Sequence, residues 1–234
     1  MRQIILDTET TGLRVEDGHR IIEIGCLEMI DRKLTGNHFH YYLNPEREVE
    51  AGALAVHGIT NEFLHNKPLF HDISEELMRF IKNAEIIIHN APFDLSFLNH
   101  ELKLTGQGYP AISDYCHVID TLVIARQLHV GQRNSLDALC KRYAVDNTKR
   151  DLHGALLDAN LLAQVYLAMT GGQGSFFDSL HTEQTSRGQS ATTTILQVDK
   201  HELTVIKATS DEISEHEHYL KKMKKQGKCM WRDD

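Results

Sequence analysis

The sequence lacks any apolar run of the roughly 18 residues that a membrane-spanning helix needs. Its N-terminus passes from Met1 and Arg2 directly into a short apolar segment, without the pattern of a signal peptide. We therefore expect a protein that avoids membranes and stays in the cytoplasm. With 41% hydrophobic and 25% charged residues, its 234 residues suffice for one compact domain with an appendage.

Cysteine is also scarce. The four cysteines, Cys26, Cys116, Cys140 and Cys229, are far apart in the sequence and form no C-x-x-C pair. This spacing argues against a zinc site and against a disulfide framework. We expect reduced and mostly buried thiols.

Positive charge is in deficit, because 25 Lys and Arg face 33 Asp and Glu, for a net charge of −8. Proteins that bind nucleic acids usually draw affinity from basic side chains that release counterions from the phosphates. The acid excess lies in residues 1–170, where 16 basic residues face 23 acidic ones. Carboxylates that hold divalent cations reverse the local field and attract a phosphate. The charge therefore leaves metal-dependent binding to a nucleic-acid end feasible.

The hydrophobic pattern predicts three strands, then alternating helices and strands, then helices. Strands are expected at 3–8, 20–30 and 33–43, with a hairpin through Asp31 and Arg32. The later elements are a helix at 73–81 that starts near Ser74, a strand at 85–89, a helix at 93–104, a strand at 118–120, and helices at 121–128, 135–142 and 154–169. This order predicts an α/β domain with a mixed β-sheet flanked by helices.

The composition changes after Met169. Between Thr182 and Thr194, ten of thirteen residues are Thr, Ser, Gln or Gly, which is too polar to bury a core. We predict a catalytic domain at 1–172, a flexible linker at 173–194 and a segment at 195–234 that folds on a partner. That last segment has enough apolar residues to dock but too few to fold alone.

Acidic residues follow the first predicted strand. Asp7 and Glu9 are two positions apart, so their side chains point to one face of an extended strand and can converge on one hard cation. A pair of this kind is common on exposed strands. Here the preceding apolar residues make a solvated surface pair less plausible, because a buried strand should not end in two close acids without a compensating partner.

Two more motifs lie at the entrances of predicted helices. Asp94 follows Asn90 at the start of a helix, where capping of that helix is an equally good explanation. His153 and Asp158 are five residues apart, so they cannot share one helix face. They can reach one cavity if His153 lies in the loop before the helix and Asp158 in its second turn. The neighbours of Asp158 are apolar, which argues against a solvated helix start.

Together, these four carboxylates and one histidine resemble the DEDDh exonuclease family, whose members have a ribonuclease H-like fold. Asp7 and Glu9 match its first motif, residues 90–94 its second, and His153 with Asp158 its third. The resemblance extends over essentially the whole chain, through runs such as residues 21–25, 56–59 and 134–140.

The resemblance implies hydrolysis of phosphodiester bonds at a DNA 3′ end with two Mg²⁺ or Mn²⁺ ions. Asp7 would bridge both ions, Glu9 and Asp158 would hold the ion that carries the attacking water, and Asp94 would support the second. His153 is the expected general base. Asp7, Glu9, Asp158 and His57 are the expected substrate contacts, although a histidine at a helix end that bonds the backbone is an equally good explanation of His57.

The resemblance also implies partners. Residues 195–234 would bind the catalytic subunit of a replicative DNA polymerase. Gln173, Phe176 and Phe177 resemble a short sliding-clamp-binding peptide, and a small theta-like subunit on the catalytic domain is left open. The run Lys221 to Lys225 fits a solvated helix face better than a nucleic-acid patch, because acidic residues precede it.

Two rival functions remain. An RNA-trimming exonuclease of the same family would have an identical set of site residues, but it would not need the linker and the tail. A non-catalytic replication adaptor would carry the acids as surface decoration, which the complete set of five residues argues against. Asp120, Asn134 and Asp137 are left out of the catalytic set, and Asp137 is expected to act at a helix start.

Overall fold

The computed structural model describes residues 1–148, 150, 152–171 and 208–225. The chain divides into two compact units, Met1–Glu183 and Gln184–Asp234. The first contains an α/β domain, and the described part of the second is one helix. The domain boundaries at 172 and 194 stay predictions.

One five-stranded sheet forms the centre of the first unit, in the order β3-β2-β1-β4-β5. Its strands are β1 (Arg2–Thr10), β2 (Ile21–Ile30), β3 (Lys33–Tyr42), β4 (Glu85–Ile88) and β5 (His117–Asp120). The first three pair antiparallel, whereas β4 lies parallel to both β1 and β5. The predicted mixed sheet is confirmed.

The β2–β3 hairpin turns at the predicted place. Asp31 and Arg32 both adopt positive φ, at 48° and 65°, and Ile30 pairs with Lys33. Positive φ at both central residues is the type I′ geometry that suits the twist of a hairpin. The turn therefore forms without the Asn-Gly sequence that most favours it.

Nine α-helices occur among the described residues: α1 (Ala51–His57), α2 (Asn61–Leu64), α3 (Phe70–Ile81), α4 (Ala91–Leu104), α5 (Ile112–Tyr115), α6 (Thr121–Leu128), α7 (Leu136–Arg142), α8 (Ala155–Thr170) and α9 (Ser210–Lys225). The predicted start of α3 near Ser74 was wrong. Asp72 accepts a hydrogen bond from the backbone N–H of Leu69, which sets the start at Phe70, and Ser74 is buried inside the helix. The short helices α1, α2 and α5 were not predicted.

The sheet has an apolar core on each face. One core packs α3 and α4 against side chains such as Ile4, Leu6 and Ile86. The other packs α7 and α8 against Ile5 and Ile87, which alternate with the first set along the same strands. Burial of both faces explains why these strands are nearly continuously apolar.

Helix α8 starts unusually close to β2. A Cβ atom at Gly25 would lie 2.4 Å from the backbone nitrogen of Leu156, so only glycine allows this approach. Two residues earlier, the buried Glu23 accepts a hydrogen bond from the backbone N–H of Ala155 at 3.1 Å. Its other oxygen contacts His40 Nε2 at 2.7 Å. These contacts fix the first turn of α8 against the sheet.

Cys26, Cys116 and Cys140 are free and buried, whereas Cys229 lies outside the described residues. Helix α9 is exposed along nearly all its length, as expected for the Lys221 to Lys225 face. Among the described helices, none has the length and apolarity needed to cross a bilayer.

Candidate active site

The carboxylates of Asp7 and Glu9 lie in the second half of β1. The strand runs to Thr10, beyond the predicted end at residue 8, so both acids lie within the sheet. Their partners on β2 are Gly25 for Asp7 and Glu23 for Glu9. The positions i and i+2 share one face, as the sequence predicts.

Asp94 comes to the same edge of the sheet through β4. Because β4 runs parallel to β1, the residues that follow it lie beside the second half of β1. Asn90 enters α4 in the left-handed conformation, and its side chain makes no capping hydrogen bond. Asp94 is buried and accepts a hydrogen bond from Thr8 Oγ1 at 2.7 Å. The contact with β1 therefore fits Asp94 better than capping does.

His153 and Asp158 approach from α8. His153 lies in the segment before the helix, where its backbone N–H donates to the carbonyl of Val56. Asp158 is buried in the first turn rather than in the predicted second turn, because α8 begins at Ala155. His153 Nδ1 lies 3.3 Å from Asp158 Oδ2. Ligand atoms of Glu9, His153 and Asp158 all lie within 4.8 Å of one another.

The electrostatics show that the acids crowd one another. Burial first, and then repulsion from Asp94, Glu9 and Asp158, holds the pKa of Asp7 well above its usual range. Burial, followed by repulsion from Asp158, raises the pKa of Glu9 to about 8. Burial raises the pKa of Asp94 to about 7, against the hydrogen bond from Thr8. Such a cluster is stabilised by positive charge.

All five predicted residues line one cavity of about 690 Å³. The cavity also contains a residue that the sequence reasoning missed, Arg150. Its guanidinium donates to Asp158 Oδ1 from Nε at 2.5 Å and to Asp158 Oδ2 from Nη2 at 2.6 Å. It also contacts His153 Nδ1 and Asp137. No local sequence pattern marks Arg150, since its contacts to Asp137 and Asp158 bring together two different helices.

His57 lies beside this cavity at the end of α1. Its Nδ1 accepts a hydrogen bond from the backbone N–H of Ile59 at 3.0 Å. This is the backbone contact expected of a structural histidine at a helix end. Its Nε2 is buried and has no hydrogen-bond partner among the described residues. A neighbouring cavity of about 330 Å³ is lined by both His57 and Glu9. Burial lowers the pKa of His57, which favours the neutral ring.

The three excluded residues have structural contacts. Asp120 caps α6 through the N–H of Leu122 and also accepts from the N–H of Asn90, which supports the second motif. Asn134 accepts from Arg142. Asp137 lies in the first turn of α7, as expected, but it also pairs with Arg150.

The donor set fits divalent cations. Four carboxylates meet in one cavity, three of them with raised pKa values, and hard cations prefer oxygen ligands. His57, whose Nε2 has no hydrogen-bond partner among the described residues, lines the neighbouring cavity together with Glu9.

Comparison with known proteins identifies the family. Residues 4–166 match the Exonuclease family. The chain is 49% identical over 236 residues to the DNA polymerase III subunit epsilon of Escherichia coli (strain K12), covering 99% of this chain and 97% of the relative. The chain belongs to the family of DNA polymerase III epsilon subunits. The epsilon subunit of Rickettsia typhi is also 49% identical, over 95% of this chain and 97% of the relative.

Solved structures agree with this membership. Exonuclease X in complex with 5′ overhanging duplex DNA superposes with a TM-score of 0.56 at 28% identity, covering 74% of this chain and 93% of that one. The nuclease domain of 3′hExo, a DEDDh family member bound to rAMP, has the same fold, with a TM-score of 0.62 at 19% identity over 74% of this chain and 92% of that one. This epsilon-family chain is a 3′→5′ exonuclease of ribonuclease H-like fold, and its family depends on divalent metal ions.

The raised pKa of Glu9 predicts how stability depends on pH when metal is removed. A carboxyl with an ordinary pKa near 4.5 in the unfolded chain and about 8 in the folded one binds its proton more tightly in the fold. The folded state therefore loses stability as pH rises from about 4.5 through 8. In EDTA at pH 8, Glu9→Gln should raise the free energy of unfolding by about 1–4 kcal/mol.

Urea unfolding at several pH values measures this effect, and the gain should shrink toward pH 4.5. A gain that does not change with pH would show that ionisation of Glu9 is not its cause. With saturating Mn²⁺ the order should reverse, because Glu9→Gln removes a candidate ligand.

Proposed function

We propose that this chain is the proofreading subunit of a bacterial replicative polymerase, which removes mispaired 3′-terminal nucleotides by two-metal-ion hydrolysis. The observation that carries the proposal is the convergence of all five motif residues on one cavity. The 49% sequence identity with an epsilon subunit, over 99% of this chain, supports the replicative role. That role also agrees with the expected cytoplasmic location.

The acids would divide two Mg²⁺ or Mn²⁺ ions between them. Asp7 is the proposed bridging ligand, since the charges of Asp94, Glu9 and Asp158 all act on its carboxyl and raise its pKa. Glu9 and Asp158 would hold one ion and Asp94 the other, directly or through water. When bound, such ions stabilise negative charge on the attacking and leaving oxygens.

His153 is the proposed acceptor of the proton from the attacking water. Its side chain is 42% exposed and faces the same cavity as the acids, so it can reach both water and bulk solvent. The water oxygen bonds to phosphorus, the bond from phosphorus to the 3′ oxygen breaks, and a nucleoside 5′-monophosphate leaves. The leaving 3′ oxygen takes up a proton from solvent water, so that the shortened strand ends in a 3′ hydroxyl.

His57 is the proposed contact to the terminal nucleotide, together with Asp7, Glu9 and Asp158. Nε2 of His57 meets no hydrogen-bond partner in the described part of the chain, and this observation and the smaller cavity at Glu9 support the role. Hydrolysis of single-stranded DNA and RNA of one sequence separates the proofreading function from RNA trimming. We expect DNA to be degraded faster, and a clear preference for RNA would favour the alternative.

A non-catalytic adaptor is the other alternative. The raised pKa values of Asp7, Glu9 and Asp94 argue against acids that only decorate a surface. Calorimetry with Mn²⁺ tests it, because surface acids would give no saturable binding.

Binding to the polymerase III alpha subunit is proposed for residues 195–234. All five motif residues lie in the compact first unit, outside residues 195–234, which supports a division between chemistry and attachment to the polymerase. The clamp-like residues Gln173, Phe176 and Phe177 lie outside the described residues, as does the linker. Clamp binding stays a prediction, and the small theta-like subunit stays open.

Deletion of residues 195–234 tests this division. We expect the shortened chain to lose binding to the alpha subunit in size-exclusion chromatography and to keep hydrolysis of single-stranded DNA within about twofold of the full chain. Loss of both activities would contradict the division, and so would retained binding.

A further inference from the structure

Arg150 holds the most concentrated set of polar contacts in the cavity. Its side chain is only 6% exposed, and Asp158 beneath it is 3% exposed. Nε and Nη2 take both oxygens of Asp158 in the two-pronged geometry that makes arginine–carboxylate pairs strong. Nη1 pairs with Asp137 on α7.

The contact with His153 has a chemical consequence. Nη2 of Arg150 lies 2.8 Å from His153 Nδ1, and a guanidinium can only donate. Nδ1 must therefore be the acceptor, which leaves the proton of the neutral ring on Nε2. In this arrangement neither nitrogen can take a proton from water.

Both carboxylate oxygens of Asp158 are likewise occupied by hydrogen bonds from Arg150. A carboxylate that holds a guanidinium through both oxygens is a weaker ligand for a second cation, because the two positive charges would repel at short range. The guanidinium also stabilises the ionised forms of Asp7 and Glu9, as a bound cation would.

We propose that Arg150 is an internal cation that competes with the divalent ion for Asp158 and is displaced when the ion binds. Displacement also frees His153 Nδ1, which couples metal binding to the appearance of a competent base. The inference rests on the proposed role of Asp158 as a metal ligand. Arg150 thereby acts through Asp158 and His153 as a positioning residue.

Titration calorimetry of the full chain with Mn²⁺ tests the competition. Arg150→Met keeps much of the side-chain volume without the donors, and it should lower the Kd for Mn²⁺ by about tenfold or more, the size expected when a charge-assisted hydrogen bond no longer competes. Its melting temperature in EDTA should fall, so that added Mn²⁺ stabilises it more than wild type. Arg142→Met is the matched control on α7, since Arg142 bonds Asn134 and the carbonyl of Arg133 rather than the acids. It should leave the Kd unchanged.

Asp137→Asn provides a second variant that is safe for folding, because its side chain is 59% exposed. Weakening the ion pair between Asp137 and Arg150 should lower the Kd for Mn²⁺ by up to about fivefold. Equal or weaker Mn²⁺ binding by both Arg150→Met and Asp137→Asn would overturn the proposal and would mean that Arg150 supports the metal site.

Asp7→Asn in the same titration separates this inference from the proposed function. Loss of saturable binding in Asp7→Asn, with an unchanged Kd in both Arg150→Met and Asp137→Asn, would refute the competition alone. Wild-type binding by Asp7→Asn would refute the metal site and the competition with it.

Discussion

Replacing Asp7 with asparagine should lower the turnover of single-stranded DNA by about 10³-fold or more. The substitution keeps the size of the side chain and removes the carboxylate whose pKa the other three acids raise. Loss of metal-based stabilisation of charge in the transition state costs several kcal/mol, and each 1.36 kcal/mol is tenfold in rate. The measurement is steady-state hydrolysis in Mg²⁺.

The control for this loss of turnover is the thermal stability of the variant. Because Asp7 is destabilised in its ionised form, Asp7→Asn should melt in EDTA no lower than wild type. Asp114→Asn, at an exposed position in α5, should keep full activity. If Asp7→Asn retains more than about a tenth of wild-type turnover, Asp7 does not bridge the ions.

His153→Ala should lower kcat by about 10²-fold or more while Mn²⁺ still binds. A positioned base contributes about 10²–10⁴-fold, and the acids that hold the ions are left in place. The KM for single-stranded DNA should change less than kcat, because the proposed base acts on the attacking water rather than in binding the strand. Calorimetry with Mn²⁺ measures the binding, and steady-state hydrolysis measures kcat and KM.

The matched control is His117→Ala, since His117 is exposed on β5 and pairs only loosely with Glu85. It should hydrolyse DNA like wild type. Near-wild-type kcat for His153→Ala would remove His153 from the mechanism, and loss of Mn²⁺ binding would make it a ligand instead.

The sequence predicted the candidate site better than its surroundings. The pair Asp7 and Glu9 follows from the two-residue period of a strand, and the position of Asp94 follows from an apolar strand that leads into a helix. These signals are local in the sequence, so they can be recognised without knowledge of the fold. The prediction that Asp158 lies in the second turn of α8 was wrong by one turn. The start of α8 depends on how Glu23 and Gly25 position the helix against β2.

Features that depend on distant contacts were missed. Arg150 matters through Asp158 and Asp137, which lie on two different helices, and nothing in its local sequence specifies that meeting. The helices α1 and α2 are seven and four residues long, too short for a clear period. His57 could be assigned to a site only by the family resemblance, and the structure adds that its Nε2 has no hydrogen-bond partner within residues 1–148, 150, 152–171 and 208–225.

One experiment tests both the proofreading role and the metal-dependent chemistry of the cavity. A DNA primer with a labelled 3′ end, either mispaired or paired with its template, is incubated with the full chain in Mg²⁺ or in EDTA. We predict release of the terminal nucleotide as a 5′-monophosphate, faster from the mispaired end because unpairing costs less there. The release should disappear in EDTA and with Asp7→Asn. Release that persists in EDTA, that is equally fast with Asp7→Asn, or that begins at the 5′ end would contradict the metal-dependent 3′→5′ proofreading site.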